Sequence, residues 1–285
     1  MAWGTLWRVS ILDQEPLFSL AALLYVVLGL HFWRSRWVGQ SSSQVARPMQ
    51  AWERLAMAAA VAAHGVALYV ALFAQGSMQF SFGLALSLTL WLAALIYWVE
   101  SFAARLEGMQ PMIMPIAAVC AAAPALFPRA HALVHAGSVG FRLHFLAAMA
   151  AYSLFTLAAL HAVFMGFAER RLHRRTISRS LASLPPLLTM EALLFRMVWV
   201  AFLLLTVALG SGLFYSEEIY GRPFRLDHKT VFAFASWLIF AGLLFGRHRH
   251  GWRGRVAQRW LLGGFAVLLL AYVGSRFVIE VLLGR

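Results

Sequence analysis

Eight apolar runs dominate this chain and limit what it can become. They cover residues 17–33, 55–74, 80–99, 111–127, 143–168, 192–214, 230–246 and 258–280. A helix needs about 20 such residues to cross the hydrocarbon of a bilayer. Of the 285 residues, 62% are hydrophobic and only 12% charged, against about 25% charged in a soluble domain. Such a chain cannot cover itself with polar surface, so lipid is its solvent. The pattern predicts an all-α polytopic bundle of about eight transmembrane helices in the bacterial inner (cytoplasmic) membrane. The fourth run is the weakest. It is short and carries Pro111, Pro115, Pro124 and Pro128, which predict a kink or an early end.

The net charge of +13 does not imply nucleic acid. The basic residues lie in short connectors and form no contiguous basic domain, so they read as topology signals facing anionic lipid. The connectors 34–54, 100–110, 169–191 and 247–257, with Arg196 and Arg259 at helix ends, hold sixteen lysines and arginines, and the opposite side holds eight. The positive-inside rule then puts both termini in the periplasm, with 128–142 and 215–229 as the main periplasmic features. Asp13 and Glu15 precede the first run and Arg34 and Arg36 follow it. That is the reverse of a signal peptide's charge order, so the first run reads as a retained span. Cys120 is the only cysteine, which allows neither an intrachain disulfide nor a CxxC pair.

No acidic residue falls in the middle of a run, which weakens a proton-coupled transporter or pump. No internal repeat supports an inverted-repeat transporter. Serine hydrolase, P-loop and HExxH patterns are missing, and no enzymatic activity is expected. What remains deep in the membrane is histidine. His173, His248 and His250 lie in basic loops and read as solvated charge. His131 and His135 have the i,i+4 spacing of metal ligands but no third ligand nearby. His31, beside Phe32 and Trp33, reads as interfacial. His64 and His161 sit well inside the second and fifth runs, and His144 and His228 open the fifth and seventh at the periplasmic surface. His144 and His161 are about 25 Å apart along one helix and cannot share a cofactor. Sorted by depth, the four make two candidate pairs, His144 with His228 and His64 with His161. Histidines on different helices of a bundle can hold heme; the plain alternative is a histidine satisfied by a neighbouring carbonyl or hydroxyl.

Several segments carry a family resemblance. The run from His144, in LHFLAAMAAYSLFTLAALHAVFMGFAERRL, resembles the first conserved helix of the cytochrome c assembly superfamily of CcsA and CcmC type. LPPLLTMEALLF at 184–195, SGLFY at 211–215, LDHKTVFAFASW at 226–237, GWRGR at 251–255 and YVGSRFV at 272–278 resemble its YpjD and HemX-like branch. The resemblance implies a CcsA-like core over 128–285 and a more variable set of four helices over 1–127, in a single transmembrane domain spanning 1–285. It also implies periplasmic heme held by two histidines flanking a tryptophan-rich loop, and His144 matches the first of these. Against the family's WGxxWxWDPKE, the loop IYGRPFRLDHKT at 219–230 keeps only Gly221, Asp227 and Lys229, with His228 where proline is usual. No histidine follows Tyr272 to match the second ligand, which leaves His228 as a substitute.

The resulting expectation is a membrane protein that binds or handles heme, with a b-type heme as the cofactor. Partners would be lipid, cytochrome c assembly proteins or a heme-synthesis enzyme. His144 and His228 would ligate the iron, with His64 and His161 as the alternative pair and Arg142 and Lys229 as cations for the propionates. The rival readings are a HemX-like regulator of heme synthesis that carries no heme itself, and a transporter of a small molecule.

Overall fold

The structure is a computed structural model that describes residues 15–38, 48–73, 78–103, 108–128, 131–133, 138–173, 187–214, 228–274 and 277–278. Among these, the helices are α1 (Glu15–Phe32), α2 (Ala51–Phe73), α3 (Phe82–Glu100), α4 (Gln110–Leu126), α5 (Val139–His173), α6 (Leu187–Phe214), α7 (His228–His250) and α8 (Gly254–Leu269). Each apolar run overlaps one of them. A π-helical turn, Trp33–Val38, continues α1, and another, Leu270–Gly274, continues α8. The strands β1 (Gln79–Phe80) and β2 (His131–Ala132) pair antiparallel.

The chain is an all-α polytopic membrane protein. Among the described residues, six helices are long and apolar enough to cross a membrane; α4, with 17 residues, and α8, with 16, are shorter. Helices suit this setting because all their backbone hydrogen bonds lie within one segment. α1 packs on α2 and α4, α3 on α4 and α5, α5 on α6, and α8 on α7 and α5. One buried cluster joins both halves, from Tyr25 of α1 to Phe240 of α7 and Leu261 of α8. The outer faces stay apolar, with Leu23, Val66, Tyr69, Val119 and Leu238 exposed. In a bilayer these side chains meet acyl chains.

α4 corrects the expectation of an early end to the fourth run. The helix continues through Pro115 and Pro124 to Leu126. Pro111 opens it, where the missing N–H has no helical partner to lose. Pro115 lies against Gly29 of α1, where a Cβ would come 3.4 Å from the proline ring. At the other end, a Cβ on Gly83 of α3 would come within 2.7 Å of the Ala123 carbonyl oxygen. Glycines on the neighbouring helices thus leave room for the proline-bearing backbone. The helix ends before Pro128, with Phe127 N donating to Ala123 O at 2.9 Å.

Carboxylates sit at helix ends and are tied to arginines on other elements. Glu53, in the first turn of α2, accepts from Arg36 Nη2 at 2.8 Å. Glu100, the last residue of α3, accepts from Arg196 of α6 at 2.5 Å. Glu191, near the start of α6, accepts from Arg247 of α7, whose guanidinium also lies 4.5 Å from the Phe195 ring. All three pairs use arginines of the more basic side. His31, expected at the interface, stacks edge-on to Trp52 and also bonds Glu53.

Candidate functional site

His144 stands in the second turn of α5 and reaches across to the last turns of α6. Its Nδ1 lies 3.0 Å from the Ala208 carbonyl oxygen and 3.2 Å from Ser211 Oγ. A carbonyl can only accept, so Nδ1 carries the hydrogen. In a neutral ring the lone pair then belongs to Nε2, the nitrogen that would meet a metal. A carbonyl behind the ring is the usual device for fixing a ligating imidazole. Gly212 makes the approach feasible, since a Cβ there would lie 3.2 Å from His144 Cε1. Ala208, Ser211 and Gly212 were not expected in this role; the small residues that open SGLFY were the trace of the last two in the sequence.

His228 is the first residue of α7 and is exposed. Its depth follows from a contact further along. Trp237 Nε1 of α7 donates to Thr206 Oγ1 of α6 at 2.9 Å. Nine residues back along α7 is His228, and a similar distance onward along antiparallel α6 is Phe214, about 13 Å in each case. His228 therefore stands about one turn beyond Ala208–Gly212, at the same end of the bundle as His144. Arg142 and Lys229 share that end, Arg142 exposed and Lys229 half-buried. Arg142 precedes His144 by two residues and so points from nearly the opposite side of α5. The rest of the tryptophan-free loop, 219–227, lies outside the described residues.

The deeper pair is separated. His64 is fully buried among α1, α2 and α3, with Nε2 2.7 Å from Ser87 Oγ and Nδ1 3.4 Å from Tyr25 Oη. His161 is held by the start of α4 and the first turn of α6, with Nδ1 3.0 Å from Met109 Sδ and Nε2 3.0 Å from Met190 O. Phe80, just before α3, packs on Phe145 of α5 with ring centres 5.2 Å apart. From that level Ser87 is seven residues along and His161 sixteen, about 10 and 24 Å. His161 is thus about 14 Å nearer the arginine-rich side than His64, and each has its own partners. Among the candidates, the structure brings His144 and His228 to one end and keeps His64 apart from His161.

Other expectations fall aside from this site. Among the described residues, no three of His, Cys, Asp and Glu gather as a metal group. His131 lies in β2, and His135 lies outside the described residues. Cys120 is half-buried in α4 with a free thiol.

The family model described as "Cytochrome C assembly protein" matches residues 52–283, reaching further toward the N-terminus than the segments that carried the resemblance. Inner membrane protein YpjD of Escherichia coli K12 is 27% identical over 233 residues, covering 80% of this chain and 87% of the relative. A 28.8 kDa Azospirillum brasilense protein of the nifR3-like 5′ region is 28% identical over 277 residues, 96% of this chain and all of the relative. The cytochrome c biogenesis protein CcsA of Prochlorococcus marinus AS9601 is 37% identical over 89 residues, 31% of this chain and 29% of that protein. No solved structure matches. With the apolar helices, these likenesses make the chain a multi-pass protein of the bacterial inner membrane.

Proposed function

The chain belongs to the cytochrome c assembly protein family, and from that premise we propose that it binds a b-type heme at the periplasmic end of its bundle. The observation that carries this reading is the His144 ring, set by Ala208 O so that Nδ1 carries the hydrogen and Nε2 the lone pair. His228, at the same end, supplies the second imidazole. Lys229, next to His228, is the cation for a propionate, and Arg142, on the far side of α5 from His144, adds positive charge to the same end. Bound heme would supply an iron centre; the chain's own contribution is to fix the His144 tautomer, admit the ring against Gly212 and present cations at the headgroup level. Protein purified from heme-replete cells is expected to show a Soret band and a reduced-minus-oxidised difference spectrum. A heme-free protein under those conditions would instead favour the HemX-like regulatory reading, which the missing tryptophans in 219–230 support.

The same loop and the lone Cys120 set a limit on the task. Cytochrome c synthesis needs heme presented beside reduced apocytochrome thiols, and this chain has neither the tryptophan platform nor a thiol pair. Expressed as the sole assembly factor in a strain lacking its own, it is expected to yield no covalent c-type heme. Holocytochrome detected by heme staining in that strain would refute this limit.

The reading also needs His144 on the periplasmic side. Reporter fusions after Gly39, Arg175 and Arg249 are expected to behave as cytoplasmic, and a fusion after Arg285 as periplasmic, following the sixteen-to-eight charge count. A cytoplasmic C-terminus would mean an odd number of spans and defeat the arrangement.

A further inference from the structure

We propose that His161 and Met109 form a soft-metal site, of the class that takes Cu(I), at the arginine-rich end of the bundle. It does not rest on the heme reading. His161 Nε2 lies 3.0 Å from the Met190 carbonyl oxygen. That oxygen only accepts, so Nε2 carries the hydrogen and Nδ1 of a neutral ring is a bare lone pair. Yet Nδ1 lies 3.0 Å from Met109 Sδ, and a thioether has no hydrogen to donate. Two lone pairs face each other between residues only 1% and 2% exposed.

A positive group between them would turn that repulsion into attraction. A second proton would create an imidazolium in an apolar core, which is costly without a carboxylate against it. Glu191, next in sequence to Met190, is already bound by Arg247 and has Arg253 Nε at 3.8 Å. A Cu(I) ion carries the same single charge but is bonded by both atoms at once, and the donors select its class: thioether sulfur favours Cu(I), and imidazole suits copper as well. With metal–nitrogen near 2.0 Å and metal–sulfur near 2.3 Å, tetrahedral ligands stand about 3.5 Å apart. The pair needs to open by only about 0.5 Å, well within the reach of an unbranched methionine. A heme cannot be the occupant, because its axial ligands lie on opposite faces of the porphyrin.

Further donors are at hand. Met165 is one turn on from His161 along the same face of α5, and both Met165 and Met190 are buried in the cluster that holds Met109. Met109 caps the start of α4 and Met190 lies in the first turn of α6, so an ion would enter from the arginine-rich side.

The test uses the full-length protein, purified in detergent without added metal and titrated anaerobically with Cu(I) from a chromogenic chelator. The wild type is expected to withdraw one equivalent, with X-ray absorption showing sulfur at about 2.3 Å. Met109→Leu, which keeps volume and apolarity, is expected to weaken binding by about tenfold or more, whereas Met57→Leu in α2 leaves it unchanged. Equal binding by wild type and Met109→Leu would overturn the site. So would failure of the wild type to take Cu(I), or a 15N spectrum showing His161 doubly protonated in metal-free protein. If Met109→Leu does not fold, absence of sulfur from the copper shell of the wild type decides against the proposal.

Discussion

His144→Ala is expected to lower heme occupancy of the purified protein by about tenfold or more. The size follows from what the ring provides: a lone pair on Nε2 aimed by a fixed Nδ1–H···O bond to Ala208, where even outer partners of ligating histidines are worth about 10–100-fold in affinity. His228→Ala should lose heme to a similar degree, since a bis-imidazole site with one ligand missing cannot hold low-spin iron. Ser211→Ala should act weakly, because Ala208 O still accepts the Nδ1 hydrogen. His64→Ala and His161→Ala should keep heme, because their rings are committed to Ser87 and Tyr25 in one case and to Met190 and Met109 in the other. The measurement is the pyridine hemochrome per mole of protein for all five variants. Loss confined to His64→Ala and His161→Ala would move the site inward. Full retention in every histidine variant would mean that none is an essential ligand.

Much of the frame was legible because lipid leaves a chain few options. Run length marked where helices form, and each run overlaps a helix, including α4 with its prolines. Charge position was equally readable: carboxylates kept out of mid-span had to lie at helix ends, where Glu53, Glu100 and Glu191 are found among arginines. What could not be read was lateral contact. Hydropathy is nearly uniform round most of these helices, α8 excepted, so no amphipathic stripe announces which of their faces meets which neighbour. Depth counted from the ends of the runs put His64 and His161 level; the packing of Phe80 on Phe145 sets them about 14 Å apart. Met109 is the sharpest case. It lies 52 residues from His161 in sequence and at a helix start, and as an apolar side chain in an apolar chain it carried no signal of its own.

Glu53→Ala is expected to destabilise the bundle by about 3–5 kcal/mol, the cost of removing one member of a buried ion pair. Glu53 is 4% exposed and serves two structures at once. It accepts from Arg36 Nη2 at 2.8 Å and from His31 Nε2 at 2.9 Å, which ties the end of α1 to α2. It also accepts from Gln50 N at 2.8 Å, the backward reach of a carboxylate three residues into a helix that forms one half of a capping box. Arg36 is itself 7% exposed, so loss of the carboxylate removes the balancing charge from a guanidinium that water reaches poorly. Glu53→Gln should fall between wild type and Glu53→Ala, since an amide still accepts hydrogen bonds but does not balance the charge. The double variant Arg36→Met/Glu53→Leu should recover most of the loss, because apolar residues of similar volume remove the desolvation cost along with the pair. Unfolding of the four proteins in one detergent, followed by tryptophan fluorescence against denaturant, measures the differences. A Glu53→Ala protein within about 1 kcal/mol of wild type would show that this clasp is solvated and contributes no more than a surface pair.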